Sequence, residues 1–396
     1  MEICDIPQGF RFAGVASGIK RSGKLDLGLI CSETPATCAG VFTRNQVVAA
    51  PILVTRPRIA TGKCQAILVN SGNANACTGQ PGLLVANQMG ALLAEQLRIP
   101  VELVAVASTG VIGAQLPTGP LQSGIPALVA QLAADAAPIT AEAMMTTDCF
   151  SKIASAQLTV DGRTCRILGL AKGAGMIHPD MATMLGFIMT DVEMPADRLD
   201  RALRQAVDRS FNAITVDADT STNDMVLLLA NGASGVRIAA DSEAEEKFVQ
   251  QLERVMVDLA KMIVRDGEGA TKLVEIRVTG ARDDRQAKIV ARTVATSSLV
   301  KTAFFGEDAN WGRIIAAVGY SGVEIDQERI DIDFDDVPVT RGGLGTGIEL
   351  EEKATEVLKQ GEFAVHIELH QGSGAARYYT SDLTYEYIKI NAAYRS

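Results

Sequence analysis

A threonine stands at the end of a loop-forming stretch, directly ahead of an apolar run, and its hydroxyl is the first candidate for chemistry. In the stretch Lys172–Phe187, Gly173 and Gly175 allow backbone conformations that other residues avoid. Pro179 fixes one φ and forces the residue before it towards an extended shape. The pattern predicts a tight, irregular loop that delivers Thr183 to the start of a buried strand. The same spacing is also typical of an ordinary glycine-rich loop before a core strand.

The hydroxyl of Thr183 needs no histidine if this residue becomes a chain terminus. Once the Ala182–Thr183 peptide is broken, the new α-amine can act as the base for its own Oγ. An α-amine has a reference pKa of about 7.7–8.0, which suits a general base. The break itself needs only attack of Oγ on the Ala182 carbonyl in a strained loop. The three histidines of the chain offer no evident Ser-His-Asp triad.

Two further loops carry groups that a reaction centre uses. The apolar run Val101–Ala107 predicts a buried strand, and it continues into Ser108, Thr109 and Gly110. A side-chain hydroxyl and a bare backbone N–H at a strand tip suit an oxyanion hole, although many strands end in this way. Glu268 lies between two glycines, where a functional carboxylate and a solvated loop charge are both open interpretations.

These stretches together resemble the glutamate N-acetyltransferase family of arginine biosynthesis, also called the ornithine acetyltransferase family. The run Lys172–Phe187 resembles the self-cleavage signature of that family. Further matching stretches extend along nearly the whole chain, and they are Ser108–Gly113, Met145–Asp148, Asp266–Lys272, Asn310–Ile314 and Ile390–Ser396.

The resemblance implies an acetyltransferase that cuts itself between Ala182 and Thr183. The products are an α chain, residues 1–182, and a β chain, residues 183–396. Thr183 is the implied nucleophile, which takes the acetyl group from N2-acetyl-L-ornithine and passes it to L-glutamate. Thr109 and Gly110 are the implied oxyanion hole. Some members also accept acetyl-CoA as a donor; no other cofactor is implied, and these residues leave the acetyl-CoA question open.

The resemblance also implies a substrate-binding set: Cys149, Lys172, Thr183, Glu268, Asn391 and Ser396. Cys149 stands where the family usually has a threonine, and a thiol is a weaker hydrogen-bond partner than a hydroxyl. By charge alone, Lys172 is assigned to the substrate carboxylate and Glu268 to the side-chain ammonium. No metal ligand is among them.

For architecture, the resemblance implies an α/β fold with a layered αββα sandwich and a heterotetramer of two α and two β chains. Beyond about Thr279, strand patterns alternate with charged loops, which predicts a smaller α+β domain from about 280 to 396. Helices are predicted at Leu83–Leu97 and Ser242–Val264, the latter with Ser242 as a cap. Met225–Ala230 is predicted as a strand, and residues 70–78 as a polar loop.

Composition excludes several classes of protein. The chain has 396 residues and a formal net charge of −10, without a Lys/Arg cluster, which argues against a nucleic-acid surface. No apolar run reaches the ~18–20 residues of a membrane span. The start of the chain lacks the basic-then-apolar order of a signal peptide. The seven cysteines are odd in number and include no Cys-x-x-Cys, so reduced thiols and a cytoplasmic location are expected.

The sequence leaves two other functions open, and it contains several weaker motifs. A self-cleaving aminopeptidase of similar architecture would release acyl groups to water, and an uncleaved binding protein would have no chemistry. The aspartates Asp217, Asp219 and Asp224 do not follow the calcium-loop spacing, which favours helix capping. His366 and His370 are predicted to be surface residues of a strand. The run Gly342–Gly347 lacks nucleotide-binding spacing and predicts a flexible loop.

Overall fold

The computed structural model describes residues 5–178 and 184–393. The first part of the chain contains β1 (Phe10–Val15), β2 (Leu27–Phe42), α1 (Ala50–Ile59), β3 (Lys63–Asn73), α2 (Gly79–Leu97), β4 (Val104–Val111), α3 (Thr118–Ala130), α4 (Ala137–Met144), β5 (Lys152–Val160) and β6 (Arg163–Lys172). After these come β7 (Leu185–Thr190), α5 (Ala196–Arg209), β8 (Ile214–Thr215), β9 (Met225–Ala230) and α6 (Glu243–Arg265).

The remaining elements follow α6. They are β10 (Leu273–Ala281), α7 (Asp284–Thr296), α8 (Ser298–Phe305), α9 (Trp311–Gly319), β11 (Asp331–Phe334), β12 (Val337–Arg341), β13 (Leu344–Gly345), α10 (Ile348–Leu358), β14 (Glu362–Glu368), β15 (Gly374–Ser381) and α11 (Tyr385–Ala393). Within the described ranges, none of the helices is both long and apolar enough to cross a membrane.

The long strand β2 belongs to two β layers. Its first half, from Leu27, pairs with β1 and β3, and its second half, Thr37–Phe42, pairs with β9. The complete strand order is β4-β3-β2-β9-β7-β6-β5, with β1 added on β2. One half therefore contains β1, β3 and β4, and the other contains β9, β7, β6 and β5.

Side-chain alternation along the strands shows how the two halves are packed. Ile67 of β3 and Leu168 of β6 share one apolar cluster with strands from both halves. The neighbouring residue Leu68 faces a second cluster with α2 and α3, whereas Ile167 faces a third with α5 and α6. The order of layers is thus helix, strand, strand, helix, and the predicted αββα sandwich is confirmed.

A second sheet has the order β13-β12-β11-β14-β10-β15-β8. Its strand β10 is parallel to β14 and antiparallel to β15, and helices α7, α9 and α10 cover an apolar core. β8 joins its edge through the pair Tyr379 and Ile214, although β8 lies between β7 and β9 in the chain. The chain therefore passes from the first sheet into the second sheet at β8 and returns to the first sheet at β9.

Local patterns predicted several elements well. Helix α6 begins after Ser242, whose Oγ accepts a hydrogen bond from the backbone N–H of Glu245 at 3.2 Å, and β9 has the predicted bounds. The prediction of a loop over residues 70–78 is wrong at its start, because β3 continues to Asn73 by pairing with β4. The run Gly342–Gly347 also is not a flexible loop throughout, since Leu344 and Gly345 pair back with β12.

Candidate active site

A cavity of about 340 Å³ opens where the ends of β4 and β6 meet the start of β7. Five of the predicted site residues line this cavity, although they lie far apart in the sequence: Thr109, Gly110, Lys172, Glu268 and Asn391. Met184 lines it as well, and this residue directly follows Thr183 in the chain. The cavity therefore combines a hydroxyl, an ammonium and a carboxylate beside the predicted point of cleavage.

Three predicted site residues, Ala182, Thr183 and Ser396, lie outside the described residues. Cys149 is described, but it is not among the residues that line the cavity. Cys149 is an exposed residue. Partial desolvation of its thiol raises the pKa of that thiol, and the nearby Asp266 carboxylate raises it further.

Gly110 closes the cavity at the end of β4. Its φ is +133°, a conformation that favours glycine. A Cβ at this position would lie 2.4 Å from the backbone carbonyl carbon of Gly72, its partner in β3. Any other residue would push the two strands apart, so the glycine is required for the strand end that carries Thr109.

Lys172 ends β6 and reaches across to the end of β4. Its Nζ lies 3.3 Å from Thr109 Oγ1, to which it donates, and 3.9 Å from the Asp148 carboxylate. The residue is only 8% exposed. Burial lowers the pKa of Lys172, while the Asp148 charge opposes that shift. Lys172 thus places a positive charge directly beside the Thr109 hydroxyl.

A buried ion network lies behind Lys172. Lys152 Nζ donates to Asp148 at 2.8 Å and to Asp266 at 2.5 Å. Asp148 also accepts the backbone N–H of Gly173 at 2.7 Å. Burial alone would raise the pKa of Asp148, but the charges of Lys172 and Lys152 hold it well below its usual range. The network fixes the chain at the point where the loop after β6 begins.

We expect Lys152→Met to destabilise the fold strongly, because it leaves Asp148 and Asp266 buried with one cation fewer. Removing one partner of a buried pair lowers the free energy of unfolding by roughly 3–5 kcal/mol. Arg11→Met is the matched control, since Arg11 pairs with Glu33 at 3.0 Å on the surface; its expected cost is about 1 kcal/mol or less. Denaturant midpoints measure both, and equal midpoints would contradict the network's role.

The prediction that Asp217 caps a helix is wrong, because no helix begins in the described segment around this residue. Its carboxylate instead accepts the backbone N–H groups of Met176 at 2.7 Å and Ile177 at 2.8 Å. Burial raises the pKa of Asp217, although these backbone donors oppose the shift. On the other side, the carbonyl of Met184 accepts from the N–H of Met225 at 3.1 Å. The chain is therefore anchored on both sides of residues 179–183.

Glu268 lies on the loop after α6, two residues beyond Asp266 of the buried network. Its Oε2 accepts a hydrogen bond from Asn391 Nδ2 at 2.9 Å, and its backbone N–H donates to the Ala174 carbonyl at 2.9 Å. A Cβ at Gly175 would lie 2.6 Å from the Glu268 carboxyl carbon. The carboxylate thus packs closely over the loop and remains half-exposed to the cavity.

Sequence reasoning missed the ion network, yet β5 contains a signal for it. Lys152 occupies the same buried register as Ala154, Ala156 and Leu158. A lysine on the buried side of an alternating strand requires a carboxylate partner. Asp148, four residues earlier, is the nearest one in the sequence.

The described residues contain no group of three or more His, Cys, Asp or Glu arranged to hold a metal ion. The side chains around the cavity suggest other chemistry. The hydroxyl and ammonium of Thr109 and Lys172 suit a developing oxyanion. The carboxylates of Glu268 and Asp217 suit a substrate ammonium. The arrangement fits acyl chemistry on a small molecule that carries both charges.

Comparison with known proteins gives consistent matches along the chain. A model of the ArgJ family matches residues 11–396. The chain is 62% identical over 389 residues to the arginine biosynthesis bifunctional protein ArgJ of Syntrophotalea carbinolica, covering 98% of this chain and 99% of that protein. It is 52% identical over 390 residues to the protein of the same name from Geobacter sulfurreducens, covering 98% and 99%. A crystal structure of the Bacillus halodurans ArgJ protein is 45% identical with a TM-score of 0.51, covering 52% of this chain and 98% of that one.

Proposed function

The chain belongs to the ArgJ family, and on this premise we propose that it transfers the acetyl group of N2-acetyl-L-ornithine to L-glutamate. The acetyl group passes through an ester on Thr183, after the protein has cut its own Ala182–Thr183 peptide. The observation that carries the proposal is the cavity beside Met184 that combines Thr109, Lys172 and Glu268.

In the first half-reaction, Thr183 Oγ attacks the acetyl carbonyl carbon. The Thr183 α-amine takes the hydroxyl proton and passes it to the ornithine nitrogen as the C–N bond breaks. In the second half-reaction, the amine of glutamate attacks the ester carbonyl carbon and loses a proton to the same α-amine. The ester C–O bond then breaks, the α-amine returns the proton to Thr183 Oγ, and N-acetylglutamate leaves. Thr109 Oγ1 and the Gly110 N–H stabilise the oxyanion in both halves.

Self-cleavage has support from the comparison with the solved structure. The Bacillus halodurans chain matches over 98% of its own length but covers only 52% of this chain. Residues 183–396 make up just over half of the 396 residues. A chain that begins at a residue equivalent to Thr183 would give a match of this size. The anchors at Asp217 and Met184 support the same step, because they hold the chain on both sides of the bond.

Charge recognition forms the second part of the proposal. We assign the substrate carboxylate to Lys172 and the side-chain ammonium to Glu268, with Asn391, Ser396, Cys149 and Thr183 as the further contacts. The assignment of the ammonium has support from Asp217, which also lines the cavity: the Tyr387 hydroxyl donates to it, and burial together with the charges of Asp217 and Glu268 raises the pKa of Tyr387.

The direct test is an assay with N2-acetylornithine labelled in its acetyl group, with and without L-glutamate. The expected result is labelled N-acetylglutamate, formed only with glutamate present. Release of labelled acetate at the same rate without glutamate would instead indicate the self-cleaving aminopeptidase. A third reaction with labelled acetyl-CoA tests the second donor that the word "bifunctional" in the relatives' names suggests.

We expect Glu268→Gln to lower kcat/KM for N2-acetylornithine while leaving cleavage at Thr183 intact. The amide keeps the shape and the Asn391 contact but removes the charge that meets the ammonium. A hydrogen bond to a charged group contributes about 1.5–3 kcal/mol, so the expected loss is roughly 10- to 100-fold. Steady-state kinetics and a denaturing gel measure the two effects. Normal turnover of acetylornithine would overturn the assignment.

The assembly and location are also proposals. We infer a heterotetramer of two α and two β chains, which rests on the family resemblance alone. Packing rather than a disulfide would hold the two fragments together, because the six described cysteines are free and all precede residue 183. These free thiols also support a cytoplasmic location.

A further inference from the structure

Lys172 has a contact that substrate binding does not require. Its Nζ donates to Thr109 Oγ1 at 3.3 Å. A threonine hydroxyl has one proton to donate and lone pairs to accept. With Lys172 on the acceptor side, the Thr109 O–H is left to donate into the cavity, and a charged donor behind it makes it a stronger one.

We propose that Lys172 is a positioning residue of the oxyanion hole, which orients and polarises the Thr109 hydroxyl in self-cleavage as well as in acetyl transfer. This inference rests on the proposed function, and it adds a role to the contact with the substrate carboxylate.

The buried network explains how Lys172 keeps this position. Its ammonium lies 3.9 Å from Asp148, too far for a close hydrogen bond but near enough for charge attraction. Lys152 and the Gly173 N–H donate to Oδ1 of Asp148 at 2.8 and 2.7 Å, and the Thr146 N–H donates to Oδ2, the oxygen nearest to Lys172, at 2.9 Å. Asp148 is thus already occupied, and it holds the Lys172 charge in the site while the ammonium donates to Thr109.

Self-cleavage separates the two roles of Lys172, because that reaction contains no substrate. A residue that only binds the substrate carboxylate has no effect on the rate at which the Ala182–Thr183 peptide breaks. A residue that polarises Thr109 slows that step when it is removed, and does so only while the Thr109 hydroxyl is present.

The experiment is a double-mutant cycle on self-cleavage, in which pulse-labelling of the full chain in cell-free translation gives the rate. Four proteins enter the cycle: the unmodified chain, Lys172→Met, Thr109→Ala and the double variant. We expect Lys172→Met to slow cleavage roughly 10- to 100-fold. In the Thr109→Ala background, the same change should alter the rate less than about threefold, since its partner is gone.

Lys272→Met is the matched control, because Lys272 is also buried and hydrogen-bonded but does not line the cavity. It should cleave at the rate of the unmodified chain. Lys172→Gln keeps an N–H donor without the charge, and it completes a second cycle if Lys172→Met fails to fold. The proposal is supported if Lys172→Gln cleaves at a rate between those of the unmodified chain and Lys172→Met, and if the same change has no effect on cleavage in the Thr109→Ala background.

Two failures remain distinguishable. If the unmodified chain is never cut, the proposed function itself fails. The role of Lys172 in the oxyanion hole alone is wrong in two cases, both with the unmodified chain cut. In the first, the Lys172 variants are cut at the unmodified rate. In the second, they slow cleavage by the same factor with and without the Thr109 hydroxyl.

Discussion

Thr183→Ala is expected to leave a single chain of 41.9 kDa that transfers no acetyl group. Alanine has no Oγ, so it can attack neither the Ala182 carbonyl nor the acetyl carbonyl of a substrate. Both reactions fail together for this one reason. A denaturing gel measures the first failure, and the labelled-acetyl assay measures the second.

Thr183→Ser is the matched control, because it restores a hydroxyl at the same position. We expect it to yield two fragments, the second of which begins with the substituted serine followed by Met184 and Leu185, and to keep part of the transferase activity. An intact and active Thr183→Ala protein would refute the nucleophile assignment. A Thr183→Ala protein that is cut but inactive would show that another residue performs the cleavage, while Thr183 remains the nucleophile of acetyl transfer.

The sequence predicted those elements whose shape depends on near neighbours. Helix α6 shows this, because its apolar period and the cap at Ser242 lie within one stretch of chain. The loop prediction for residues 70–78 is wrong at its start for the opposite reason. Residues such as Ser71 and Asn73 look like loop residues, yet they continue β3 because β4, some forty residues later, supplies their partners.

The candidate site likewise contains some residues that the sequence indicates and others that only the fold brings together. Thr109, Lys172 and Glu268 were identified by resemblance to a family, and their meeting in one cavity depends on three separate strands and loops. In the buried network, the sequence contains a signal for the pair of Lys152 and Asp148, but it does not show that Asp266, more than a hundred residues later, becomes the second partner of Lys152. The family resemblance therefore indicates which groups react, and the fold shows which groups support them.

Thr109→Ala is expected to slow both self-cleavage and acetyl transfer by about 10²–10³-fold, the usual cost of one lost oxyanion-hole donor. In the proposed mechanism, Thr183 Oγ adds to a carbonyl carbon in both reactions, and the negative charge develops on the carbonyl oxygen, so one oxyanion hole is expected to serve both. The structural support is the position of the hydroxyl, which lines the cavity with Lys172 behind it. Single-turnover rates with labelled acetylornithine measure transfer, and pulse-labelling measures cleavage.

The neighbouring hydroxyl offers a control on the same strand. Ser108 is buried, and its Oγ donates to Asn70 Oδ1 at 2.6 Å rather than lining the cavity. Ser108→Ala should therefore lower stability and leave the rate of the chemical step close to that of the unmodified protein. If Thr109→Ala slows transfer but not cleavage, the two reactions use different donors. If it slows neither, Thr109 is only a hydroxyl at the end of β4, and the Gly110 N–H must act with another donor.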